Sequence, residues 1–138
     1  MIVKQKIKRN VAGQFVKLLF HKQDNRKMNL ANFKTRCIRE GEIHEIVTTI
    51  YGDLVEGDII NVVGFLGFIE INKGGVIQKG DIVKVADKHI GTVLGFDECH
   101  FPNHYNIIIK TDKVLSSQDL DIIIEDPIIF VDSGNKNI

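Results

Sequence analysis

The stretch Gly57-Asp58-Ile59-Ile60-Asn61-Val62 returns 23 residues later as Gly80-Asp81-Ile82-Val83-Lys84-Val85. In each copy the glycine permits a turn, the aspartate is placed to bond local backbone amides, and the branched run that follows can enter a core. The second copy continues through Ala86 to Val93, which reads as a hairpin turning near Asp87 and Lys88. Two copies are too few for a solenoid, so the echo points to two similar hairpin units within one compact fold.

Composition extends the same reading to the rest of the chain. Ile, Val and Thr number 22, 13 and 5, against 3 Ala and 8 Leu, a balance that opposes helix and favours strands. Strands are predicted over 14–20, 33–38, 44–50, 58–63, 68–71, 81–85, 89–96, 105–110, 121–124 and 128–131, with a further one over 3–8. Residues 24–31 read as polar and irregular, and Ser116 or Ser117 as the cap of one short helical turn followed by Asp119 and Asp121. Many short strands separated by glycines predict an all-β protein. Its expected form is a small closed or partly open β-barrel with an internal hairpin pseudo-repeat. One domain is expected over 1–131, with a flexible tail over 132–138.

At 43% hydrophobic and 26% charged residues, the 138-residue chain is neither disordered nor, lacking a long apolar run, a helical membrane protein. Met1 to Asn10 interleaves lysines with apolar residues rather than forming the apolar block of a secretory signal, so the expected location is cytoplasmic. Cys37 and Cys99 make no disulfide framework. Net charge is zero but uneven: +9 over residues 1–40 and −9 over the remainder. Complementation within the fold or across a homo-oligomer is preferred to nucleic-acid binding, because no basic run is unbroken and no aromatic stacking motif accompanies it.

The densest set of reactive side chains is Asp97-Glu98-Cys99-His100-Phe101-Pro102-Asn103-His104-Tyr105-Asn106, between two predicted strands. Pro102 makes it an ordered loop rather than a helix, and it is longer than a tight hairpin needs. Three chemistries fit. His100 and His104, with Asp97, Glu98 or Cys99, are donors for a zinc-type ion, although His-x-x-x-His spacing is most natural on a helix. Cys99 is a candidate nucleophile with His104 or the distant His44 as base. A histidine can also serve as general acid or base, or as a hydrogen-bonding group, for an anionic or sugar-like ligand. Glu98, Asn103 and Tyr105 would line such a site. The competing reading is structural: Asn103, His104 and Asn106 satisfy backbone groups while Cys99 and Phe101 fill the core.

A second cluster, Glu42-Ile43-His44-Glu45, reads first as a hydrated hairpin edge, with His44 and Glu45 as further ligand candidates. His21 and His89 are expected to face solvent. Glycines in Gly64-Phe65-Leu66-Gly67-Phe68 suit either a ligand's close approach or a bulge at a barrel corner.

With Gly64 to Phe68 and Gly91-Thr92-Val93-Leu94-Gly95-Phe96 leading into the 97–106 loop, the chain resembles a small bacterial family of unknown function over roughly residues 36 to 131. That resemblance implies no activity. Gly80-Asp81, then Val93-x-Gly95, then Asn103-His104 before an apolar strand is also similar in layout to the sorbitol-specific IIA phosphocarrier of the bacterial sugar phosphotransferase system. Such a likeness implies a small β-barrel with a phosphohistidine. The chain departs from it at Ile46-Val47-Thr48-Thr49-Ile50-Tyr51-Gly52, which stands where that family has its histidine-rich stretch and holds no histidine. The functional expectation is a barrel that binds, or acts on, a small polar or anionic molecule at the 97–105 loop. The alternatives are a non-enzymatic binding or oligomeric accessory protein, and a phosphocarrier.

Overall fold

A computed structural model describes residues 7–135 apart from 53, 55 and 101. Among the described residues it contains β1 (Val11–Leu18), β2 (Lys22–Gln23), β3 (Met28–Asn29), β4 (Thr35–Ile38), β5 (Ile43–Thr49) and β6 (Ile59–Ile60). These are followed by β7 (Val63–Lys73), β8 (Gly75–Gln78), β9 (Ile82–Val85), β10 (Lys88–Asp97), β11 (Asn106–Lys110), a 3-10 turn (Ser117–Leu120) and β12 (Pro127–Val131). No helix among them is long and apolar enough to cross a membrane.

The main sheet runs β1-β12-β9-β10-β11-β5-β7, and β7 pairs back onto β1, so seven strands return on themselves as a small, partly open barrel. Branched side chains fill it because alternate residues of each strand point inward. Ile107 and Ile109 of β11 join Phe15, Leu66, Phe96 and Phe130 in the larger core, to which all seven ring strands contribute. The opposite face of the same strands is also covered: Ile108, Val47, Phe65 and Leu94 pack with Met28, Leu30 and Ile60. Strands β5 and β11 run parallel, and burial on both faces is what the unbroken run Ile107-Ile108-Ile109 demands. Each fully buried Ile or Phe of this kind contributes roughly 1.5–3 kcal/mol.

The sequence echo is present in the backbone. Gly57 N–H donates to the Leu30 carbonyl and Leu30 N–H to the Asp58 carbonyl, at 2.7 and 2.9 Å; Gly80 and Asp81 clasp Val93 in the same way, both at 2.8 Å. Both glycines take a left-handed φ, 97° and 94°. Beyond the clasp the copies diverge. The second becomes β9 and turns through Ala86 and Asp87, both at positive φ, into β10. The first yields only β6, paired with β3 outside the ring. There the expected 58–63 strand is cut short because Asn61 and Val62 are committed elsewhere: the Asn61 carbonyl and side chain accept from Arg26 and Lys27 N–H groups, and the Val62 carbonyl accepts from Thr49 Oγ1.

Other expectations shift as well. Residues 68–71 are the middle of the 11-residue β7, whose register slips opposite Ile46 and Val47. Gly67, at φ 146°, would carry a Cβ 2.1 Å from the Lys17 carbonyl, so the Gly64 to Phe68 glycines serve bulging and backbone contact. No strand forms over 121–124. Asp121 and Glu125 are left-handed, the Asp126 carboxylate takes the Ile123 N–H, and Ile123 and Ile124 face solvent. The predicted short turn does form, with Ser116 N–H bonded to the Asp119 carboxylate at 2.8 Å. Strand β8 lies outside the predicted strands; it pairs antiparallel with β4, far back in the chain, as a separate two-stranded sheet. Within the irregular 24–31 stretch, Met28 and Leu30 are buried core residues. Of the expected 3–8 strand, residues 3–6 lie outside the described residues and Ile7 and Lys8 are not in a strand; of the tail, 132–135 form a hydrogen-bonded turn at Asp132.

Part of the uneven charge is paired within the fold. Lys8 pairs with Asp81 at 2.6 Å, Lys22 with Asp119 at 2.9 Å and Arg36 with Glu98 at 2.6 Å, each joining the cationic first forty residues to an acid beyond them.

Candidate functional site

The loop between β10 and β11 closes over the start of the parallel pair, where β5 brings His44 and Glu45 beside Asn106. It is ordered by a local turn. Asn103 and His104 N–H groups both donate to the His100 carbonyl, at 2.8 and 3.3 Å, and the His100 and His104 rings stack with centroids 4.9 Å apart. An isolated helical-type turn thus supplies, without a helix, the meeting that the His-x-x-x-His spacing needs.

Glu45 joins this pair from β5. His104 Nε2 lies 3.3 Å from Glu45 Oε1, and one donor atom each from Glu45, His100 and His104 falls within 4.8 Å of the others. His104 Nδ1 faces the Asn103 amide at 3.2 Å, and its ring meets Phe68 edge-on. Burial pushes the His104 pKa below 6.5, outweighing an opposing influence of the nearby Asn106 side chain. Glu45 is only 6% exposed, and burial raises its pKa although His100, Arg26 and His21 act to lower it.

His44 and Glu45 do not form a hydrated edge. Both are buried, because β5 is an internal strand of the ring with a packed layer on each face. Their opposite orientation, expected of strand neighbours, holds: Glu45 meets His104, whereas His44 turns to Glu42 and Tyr105. His44 Nδ1 accepts the Tyr105 N–H at 3.0 Å, so the ring proton sits on Nε2 and is donated to Glu42 Oε1, also at 3.0 Å. Burial lowers the His44 pKa below 6.5, outweighing Glu42. Both nitrogens are thereby committed to structure, and neither serves Cys99 as a base.

Asp97 likewise works on the scaffold. Its carboxylate accepts Asn29 N–H at 2.7 Å, Cys99 N–H at 2.8 Å and the Asn106 amide at 3.4 Å. Asn106 is fully buried, and its Oδ1 has no hydrogen-bond partner among the described residues. Glu98 holds Arg36, whose guanidinium lies between the rings of Phe33 (3.9 Å) and Tyr105 (4.5 Å). Cys99 is an exposed free thiol rather than a core residue, as is Cys37. Burial, followed by the Asp97 hydrogen bond and charge, raises the Cys99 pKa, which keeps the sulfur protonated and disfavours the nucleophile reading. Phe101, expected in the core, lies outside the described residues. Of the two histidines expected to face solvent, His89 does so, and His21 is exposed but stacks on Phe65 at 4.2 Å.

One functional group was not foreseen. Arg26, from the segment before β3, brings Nη2 to 3.4 Å from His100 Nε2 and 3.6 Å from Cys99 Sγ. Nothing local in the sequence pairs Arg26 with a loop more than seventy residues away; the basic bias of the first forty residues is the only hint. A cleft of about 220 Å³ opens beside the histidines, lined by Glu42, Ile43, His44, Pro102, Asn103, His104 and Tyr105. A second, of about 380 Å³, lies on the Cys99 side between Lys27, Phe33, Asp97 and Glu98.

A family model matches residues 5–131, further toward the N-terminus than the 36–131 resemblance. The chain belongs to DUF6917, a family of unknown function. No curated protein and no solved structure matches it, so the likeness in layout to the sorbitol-specific IIA component has no relative to support it. What this member of DUF6917 can do is therefore argued from its own side chains.

Proposed function

We propose that this protein binds a small anionic molecule at the 97–105 loop, with His100 and His104 as the groups that hydrogen-bond it and exchange protons with it. The observation that carries this is Arg26: a guanidinium brought to the His100 and Cys99 side chains by a segment distant in the chain, where Cys99 lines one open cleft and His104 another. Guanidinium presents a fork of donors matched to carboxylate or phosphate oxygens, and a half-solvated site lets an anion displace its weak present contacts. Asp97, Glu98 and His44 support this reading as the frame that fixes the loop, while Asn103, His104 and Tyr105 line the cleft.

Titration with inorganic phosphate and with a small dicarboxylate, followed by amide NMR shifts, tests this. Shifts should concentrate at residues 26, 100, 103 and 104 and disappear in Arg26→Ala, with the thermal midpoint unchanged because that side chain makes only rim contacts. No shift with either anion, or equal shifts in Arg26→Ala, would overturn the reading.

A further inference from the structure

We infer that Glu45, His100 and His104 form a binding site for a divalent ion of the zinc type, leaving an open position that faces the proposed anion site. It deepens the reading above and rests on it in the role given to the open position: with the ion bound, the anion meets that position and Arg26 in place of direct hydrogen bonds to His100 and His104. The donor set is two imidazoles and one carboxylate, which suits zinc and its neighbours in the first transition row. Zinc bonds to N and O donors of about 2.0–2.1 Å place two ligands of a tetrahedral ion roughly 3.3–3.4 Å apart. The Glu45 Oε1 to His104 Nε2 distance is 3.3 Å. His100 lies within 4.8 Å of both, and being an exposed residue of a turn it can close the remaining gap by side-chain rotation, exchanging its 3.4 Å contact with Arg26 for the ion.

Burial makes an ion a better partner for Glu45 than the existing one. Among the described residues its carboxylate has a single side-chain hydrogen bond, the 3.3 Å contact to His104. A buried carboxylate is stabilised by strong charge compensation, which a divalent cation supplies and a neutral imidazole does not. An outer partner is also in place. Asn103 faces His104 Nδ1 at 3.2 Å, and rotation of its amide presents an oxygen to an Nδ1–H, fixing the tautomer that leaves Nε2 for the metal. Metal binding at Nε2 then shifts the single proton of the neutral imidazole to Nδ1. Cys99 is outside the set: its Sγ is not among the donor atoms that converge within 4.8 Å.

The test uses tag-free, chelator-stripped full chain titrated with Co²⁺, an ion whose visible bands report coordination. One equivalent should bind with the intense d–d bands of a four- or five-coordinate ion and no thiolate charge-transfer band. Glu45→Gln and His100→Ala should abolish those bands, Asn103→Ala should weaken binding about tenfold as an outer partner does, and Cys99→Ser should bind as wild type. Glu45→Gln keeps the shape of the side chain, and in chelator its thermal midpoint should equal or exceed that of wild type, so lost binding reads as a lost ligand. Absence of the bands in the wild type, or their persistence in Glu45→Gln, would overturn the site. Anion binding that survives in chelator while no metal binds would sink this inference and leave the proposed function standing. Metal binding without any anion-induced change in the Co²⁺ spectrum would do the reverse.

Discussion

Strands β5 and β11 run side by side through the barrel, and the polar residues at their two ends are settled in different ways. At the C-terminal end, Thr48 Oγ1 donates to the Leu115 carbonyl at 2.8 Å and accepts the Leu115 N–H at 2.9 Å. Thr49 Oγ1 donates to the Val62 carbonyl, and Thr111 N–H to the Thr49 carbonyl, each at 2.8 Å. At the N-terminal end, Glu45 has one long contact to an imidazole and the buried Asn106 Oδ1 has none among the described residues. Both ends are buried by the same scaffold, so burial alone does not explain the contrast. A hydroxyl is donor and acceptor together and can close on a peptide unit by itself, whereas a carboxylate only accepts and depends on what approaches it. Incomplete satisfaction in an otherwise well-bonded strand pair sets apart the end at which the proposed ligand site lies.

The largest effect should come from breaking the closed end. Gly64 pairs with Thr48, and a Cβ there would meet the Leu115 carbonyl at 2.2 Å, the same carbonyl that Thr48 holds. Gly64→Ala should therefore cost about 3 kcal/mol in urea unfolding, because backbone rather than a flexible side chain must move. Thr48→Val keeps the shape but leaves the Leu115 N–H and carbonyl without that partner, and should cost about 2 kcal/mol by the same measurement. A Thr48→Val protein as stable as wild type would erase the contrast between the two ends.

The smallest effect lies at the other end and depends on pH. His44 is held neutral, with its folded pKa below the ordinary 6.5. The unfolded chain therefore binds the proton more readily, and this contribution to stability is complete above about pH 6.5 and is lost as pH falls toward the lowered folded value. Because Asn can present Oδ1 to the Tyr105 N–H but cannot titrate, His44→Asn should lack this part of the slope. Urea midpoints between pH 7 and 5, measured in chelator, should show wild type losing ground to His44→Asn; parallel curves would mean that the imidazole takes up its proton equally in the folded and the unfolded chain.

Much of the architecture was legible in the residues because its causes are local. Branching at Cβ, glycine spacing and the repeated Gly-Asp turns predict a strand-built barrel, and the clasps at Gly57 and Gly80 reproduce the repeat in hydrogen bonds. Residues 58–63 and 121–124 have strand composition, yet their backbones are taken by Arg26, Thr49 and Asp126, partners that a propensity does not see. The 97–106 loop stood out by its density of reactive side chains, and His100 with His104 could be named from spacing.

Chain order was enough to mark a barrel and the loop that bears its histidines, since χ1 stiffness, turn chemistry and ring closure act over a few residues. It took the packed ring to place Glu45 against His104 and Arg26 against His100, and to divert Asp97 and His44 into holding the frame. Those choices depend on which strand lies next to which and which faces are covered, and no short-range preference encodes that.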